Sequence, residues 1–141
     1  VISGDDIRNL ADAMLEFGKQ SGKINFDRDG NNVRNSPAVL LLGLKDARTL
    51  GLNCGACGKN RCADLEPVEG PEFGGGICAW RMVDLGIALG SAVKTASILN
   101  ADNRIMYRIG VVARRMGLMD AEVVVGVPLS ATGKSIYFDR K

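Results

Sequence analysis

Cys54, Cys57, Cys62 and Cys78 are the only cysteines of the chain, in the order C-x2-C-x4-C-x15-C. Three of them fall within the nine residues CGACGKNRC, 54–62. Thiols in such a pattern can pair as a disulfide, hold zinc, hold an iron–sulfur cluster, or simply fill space. Filling space does not account for three of four cysteines crowding into one loop. A redox C-x-x-C at Cys54 and Cys57 leaves Cys62 and Cys78 without a role, and no thioredoxin-like βαβ pattern surrounds the pair. Zinc accepts four thiolates, but structural sites often present two facing C-x2–4-C knuckles. Only one knuckle occurs here, and the chain has no histidine. A [4Fe–4S] cubane is wider than a single ion, and a tight loop of three thiols with a remote fourth suits it. Gly55 and Gly58 free the loop backbone to turn its amides toward sulfur. Lys59, Arg61 and Arg81 can offset thiolate charge, and Trp80 can either shield such a site from water or serve as a core aromatic. On spacing alone, zinc and iron–sulfur both stay open.

Little else in the chain offers chemistry. Without histidine, a general base must be a carboxylate or a lysine, and no nucleophile–base pair stands out; Asp84 has no assignable role. PLSATGKS, 128–135, is one residue from a P-loop, but proline stands where the first glycine belongs and cannot donate an amide to phosphate. Thr132, Gly133 and Lys134 could still form a plain anion site. Arg104, Arg108 and Arg115 fall within about 40° on one side of a helix, at 100° per residue. They read as a solvated face or a dock for an acidic partner.

The elements that must position these residues follow from periodicity. Ser3 and the acids Asp5 and Asp6 open a helix carrying Ile7, Leu10, Ala11, Met14 and Leu15 on one face, closed by Gly18 and Gly22. KINFDRDGNNVRNSP, 23–37, reads as turns with at most a short strand over 24–26. AVLLLGL, 38–44, reads as a buried strand. Residues 50–80 form the cysteine segment, and the Pro- and Gly-rich 66–76 within it reads as irregular; a bound metal would explain its order. From Ala79 a central, nearly buried helix of about 20 residues is expected, with Val83, Ile87, Gly90, Val93 and Ser97 on its repeat and Gly86 and Gly90 as a close-packing face. A third helix follows, with Ile105, Ile109, Val112, Ala113 and Met116 inward and Gly117 as its cap. AEVVVGV, 121–127, is a second buried strand, ended by Pro128. The tail, 130–141, reads as loop with room for a short strand. This order predicts an α+β layered domain with a central sheet, long buried helices and an inserted irregular metal loop.

Composition fits one globular domain over 1–141, with 46% hydrophobic and 24% charged residues. A net charge of +2 gives no reason to expect nucleic acid or an anionic membrane as partner. The apolar run 82–99 contains Asp84 and Lys94, so it does not read as a membrane span. The first residues lack the basic-then-apolar signature of an export signal, and the reading is cytoplasmic, where thiols stay reduced. The chain opens on Val1 rather than methionine, which reads as a fragment lacking an N-terminal segment.

CGACGKNRCADLEPVEGPEFGGGIC resembles the iron–sulfur domain C-G-x-C-G-x3-C…C of Rnf-complex B subunits and of the corrinoid iron–sulfur protein. That resemblance implies a [4Fe–4S] cluster on Cys54, Cys57, Cys62 and Cys78. GLNCGACG, DLGIALGSAVKTASILNADNRIMYRIG and GVPLSATGKSIYFDR together are similar to a family of uncharacterised proteins containing a ferredoxin domain. The family supplies a cofactor rather than a reaction, and its members tend to carry a further N-terminal segment. In order, NSPAVLLLGL, the long helix and the closing GVP strand are also similar to flavin-dependent nitroreductases. That likeness implies a homodimer across the long helix, with Lys134 and Arg140 holding the phosphate of FMN or another anion, although no flavin-binding arginine motif aligns near the N-terminus. The expected function is electron transfer to a redox partner protein or a bound flavin. The alternatives are a flavin-dependent reductase with an auxiliary cluster and a non-redox module with structural zinc.

Overall fold

In the computed structural model of the protein, residues 1–138 are described. The elements run β1 (Ile2–Ser3), α1 (Asp5–Ser21), α2 (Phe26–Arg34), β2 (Ala38–Leu44), β3 (Val68–Glu69), β4 (Gly74–Gly75), α3 (Ala79–Ile98), β5 (Asp102–Asn103), α4 (Tyr107–Arg115) and β6 (Val123–Ser130). A four-stranded antiparallel sheet has the order β1-β2-β6-β5, and β3 and β4 form a separate hairpin. The mixed α/β character is as the sequence indicates.

Both long strands are apolar on both faces because both faces of the sheet are covered. Val39, Leu41 and Val124 pack with Leu10, Met14, Phe26, Ile109 and Val112 of α1, α2 and α4. The alternate residues Leu40, Leu42, Val125 and Val127 pack under Leu85 and Leu89 of α3. β6 does not stop at Pro128, which pairs with Val39 of β2. The Gly126 amide bonds Met106 on the opposite side of β6, and two residues on, the Pro128 nitrogen faces that side too. There the ladder is broken between Met106 and Asn103, so no amide is missed.

Ile105 and Met116, expected inward on the third helix, lie outside α4 and are exposed. Three further expectations need correction. Residues 26–34 are a helix, not turns. Its inner stripe has only Phe26 and Val33 as large apolar groups; Gly30 completes it by close approach, since a Cβ there would lie 3.2 Å from the Ala11 carbonyl. Asp29 fills the remainder at 1% exposure, held by Arg28 at 2.8 Å and Arg108 at 3.1 Å, so its buried charge is paired twice. The second half of the cysteine segment is not wholly irregular, because β3 and β4 pair within it.

The third correction is to α3, which has the expected length but is not nearly buried. Only Leu85 and Leu89 are buried, while Val83 and Ile87 are exposed and Gly86 and Gly90 have nothing near a would-be Cβ. A helix apolar on all sides does not disclose by periodicity which side meets the sheet. No described helix is long and apolar enough to cross a membrane.

Candidate metal centre

The cysteine loop is ordered by its own polar groups. Asn53, at φ 48°, accepts from the Cys62 amide at 2.8 Å while its own amide donates to Cys62 Sγ at 3.3 Å. This reciprocal clamp closes the loop from both ends. Inside it, Gly58 N–H donates to Gly55 at 2.9 Å, and both glycines have positive φ. A short 3₁₀ turn, Cys62–Asp64, follows, with Arg61 bound to Asp64 at 2.6 Å. The β3–β4 hairpin is docked by Gly74 N–H on the Glu122 carbonyl at 2.7 Å, by Arg114 on Glu69 and by Arg115 on the Pro71 carbonyl. The chain then reaches Cys78, which stands immediately before α3.

All four cysteines line one small cavity, together with Leu50, Leu52, Lys59 and Trp80. All are free thiols: Cys54 exposed, Cys57 and Cys62 half-buried, Cys78 buried. Among the described residues, no three His, Cys, Asp or Glu side chains are placed to hold a single metal ion. Burial pushes the Cys78 thiol up, but amide hydrogen bonds from Trp80, Arg81 and Leu50 outweigh it and hold it below the ordinary thiol range. The Ala56 amide and then the Trp80 indole hold Cys54 low. The indole N–H donates to Cys54 Sγ at 3.4 Å, so Trp80 is a half-exposed wall of the cavity and not a core aromatic. A donor set of four thiols with amide and indole N–H groups on sulfur suits an iron–sulfur cluster.

Of the three cations expected near sulfur, Lys59 lines the cavity, while Arg61 and Arg81 are committed to Asp64 and Asp84. Arg81 Nε also donates to the Arg48 carbonyl at 3.2 Å, tying α3 to the stretch before the loop. The Asn53 clamp went unnoticed in the sequence; an asparagine directly before the first cysteine is its only trace.

Other expected sites lie elsewhere. Lys134 lines a pocket at the C-terminal end of α3, whereas the cysteines gather at its N-terminal end. Twenty residues separate the two ends, roughly 30 Å at 1.5 Å per residue. Arg140 lies outside the described residues. Arg104, Arg108 and Arg115 do not form a docking face, since they bind the Tyr137 carbonyl, Asp29 and the Pro71 carbonyl. No helix follows the Gly133–Lys134 turn among the described residues.

A family model described as uncharacterised protein containing a ferredoxin domain matches residues 74–140. An uncharacterised protein of Archaeoglobus fulgidus is 50% identical over 141 residues, covering 99% of this chain and 76% of that protein. The chain belongs to the ferredoxin-domain family. The matched span of the family model contains Cys78 and begins after the 54–62 loop. No solved structure matches the chain.

Proposed function

We propose that this ferredoxin-domain protein binds a [4Fe–4S] cluster through Cys54, Cys57, Cys62 and Cys78 and exchanges electrons with a redox partner protein. The observation that carries this reading is four thiols lining one cavity, with N–H donors on sulfur from the Trp80 indole and the Asn53 backbone. When bound, such a cluster supplies reversible one-electron transfer. The chain's residues hold it, line its cavity with Leu50, Leu52 and Trp80, and place N–H donors on sulfur. Within one chain a flavin phosphate at Lys134 would lie at the far end of α3 from the cysteines. The test is anaerobic purification followed by iron, sulfide and zinc analysis and an optical spectrum before and after dithionite. About four irons and four sulfides, with absorbance that bleaches, support it; one zinc and no sulfide would overturn it in favour of a structural clasp.

Trp80→Phe keeps a ring at the cavity and removes only the N–H···S bond. Such bonds favour added negative charge on sulfur, so the variant is expected to keep its iron and show a lower midpoint potential in a spectroelectrochemical titration. An unchanged potential would remove Trp80 from the tuning role.

We also propose a homodimer across α3. Trp80, Val83, Ile87 and Ile98 are 45–69% exposed on the side of the helix away from Leu85 and Leu89, an apolar surface unusual for a monomer. Asp84 and Lys94 lie symmetrically about Leu89, so a two-fold axis at that point sets Lys94 of one copy toward Asp84 of the other, with Gly86 and Gly90 permitting close approach. Light scattering is expected to give a dimer, and Ile87→Lys a monomer with unchanged iron; a monomeric wild type would refute this.

A further inference from the structure

The pocket at the C-terminal end of α3 has features that the cysteine site does not use. Its volume is about 430 Å³. Asp102, on β5, and Ser130, opposite it on β6, both line this pocket. The two oxygens of Asp102 differ sharply. Oδ1 accepts from the Asn103 amide at 3.1 Å and from Ser135 Oγ at 3.2 Å. Oδ2 is buried and has no hydrogen-bond partner. Ser130 is 1% exposed, and its Oγ, close to the Tyr137 hydroxyl, also has no partner in hydrogen-bond geometry.

Orphaned buried polar atoms are costly, and more so when charged. Two of them side by side at a pocket wall point to donors supplied from outside the chain. A carboxylate oxygen with one saturated neighbour accepts well from a hydroxyl, as acidic residues do for ribose hydroxyls elsewhere. The other end of the pocket has the opposite character: there Thr132, Gly133 and Lys134 form a turn, with Gly133 at φ 73° and Thr132 Oγ1 donating to the Lys134 carbonyl at 3.3 Å. Between the two ends the wall is neutral and hydrogen-bonding, with Ser97, Asn100 and Asn103.

A bare anion does not match this pocket, because the Asp102 carboxylate would repel it. A bare sugar does not extend to the Thr132–Lys134 turn at the other end. We infer that the pocket binds a small phosphorylated polyol, with its hydroxyls on Asp102 Oδ2 and Ser130 Oγ and its phosphate toward the Thr132–Lys134 turn. The inference uses no residue of the cysteine site; within one chain the two lie at opposite ends of α3.

The test is a calorimetric titration of the full chain with three probes: ribose 5-phosphate, ribose and inorganic phosphate. Ribose 5-phosphate is expected to saturate at least tenfold more tightly than either half alone. Asp102→Asn retains the Oδ1 acceptor but puts an amide donor where Oδ2 stood. It is expected to weaken ribose 5-phosphate at least tenfold without lowering the thermal midpoint, since an unsatisfied buried charge is removed. Absence of saturable binding overturns the inference, as does inorganic phosphate binding as tightly as ribose 5-phosphate. If Asp102→Asn destabilises the fold, Ser130→Ala decides the matter. Weaker ribose 5-phosphate binding at an unchanged thermal midpoint supports the site, and unchanged binding overturns it.

Discussion

Cys78→Ser is expected to reduce bound iron and sulfide from about four each per chain to well under one, with loss of the broad visible absorbance. Cys78 is the ligand candidate that the loop cannot replace. It is the only buried cysteine of the four, it stands at the start of α3, and nearby backbone amides hold its thiol below the ordinary range. The other three share a loop whose closure by Asn53 does not need it. Serine preserves the size and the amide contacts but is a poor ligand for iron, so the substitution removes thiolate ligation with little change in packing. The two cores on either side of the sheet are built from α1, α2, α4 and the sheet, and from α3 and the sheet. The variant should therefore still unfold cooperatively while limited proteolysis increases within 45–77. Retention of iron and sulfide by Cys78→Ser would sink the four-thiol assignment. Loss of zinc rather than iron would shift the site to a structural clasp.

Where the sequence was readable, local pattern and tertiary role agreed. Ala38–Leu44 is apolar at every position but one, so its run predicted a strand correctly, although only Val39 and Leu41 are buried and the face toward α3 is half-buried. α1 shows a single apolar stripe and packs along it. The cysteines were legible because thiol spacing is itself the chemistry. α2 was missed because its buried stripe is completed by a glycine and by a doubly paired aspartate, and neither is an apolar signal. The hairpin β3–β4 was missed because its ladder is two residues long and half glycine. In α3 the helix was found but its orientation was not, since every face is apolar enough to be the inner one. Arg104, Arg108 and Arg115 read as a solvated face or an acidic-partner dock by charge, yet each reaches back to a carbonyl or carboxylate over a hydrophobic stem.

Gly110 appears in the sequence as an unremarked position in a short helix, and substitution there is expected to be among the most damaging in the chain. α4 lies directly on the backbone of β6. A Cβ at Gly110 would fall 1.6 Å from the Val124 carbonyl oxygen and 2.8 Å from the Val125 nitrogen. On the strand side, a Cβ at Gly126 would fall 2.2 Å from Ile109 Cγ2. Helix and strand thus meet where both lack side chains. The Val124 carbonyl belongs to the central strand of the sheet and cannot move without disturbing its pairing with β2. Gly110→Ala must therefore lift α4, with its buried Ile109, Val111, Val112 and Ala113, off the core. Alanine gains roughly 0.8–1.0 kcal/mol over glycine in a helix interior, while overpacking typically costs about 1–3 kcal/mol and more where backbone must shift. The net expectation is a loss of about 3 kcal/mol in urea unfolding, a large part of the roughly 5–15 kcal/mol that holds a domain together. Gly86→Ala is the matched comparison, because it makes the same helix gain with nothing within 4 Å of the new Cβ. Measured in the Ile87→Lys background, so that association does not intrude, it should be neutral or stabilising by less than about 1 kcal/mol. Equal effects at the two glycines would mean that α4 does not rest on the strand backbone, and the packing that aligns β6 with the rest of the sheet would need another cause.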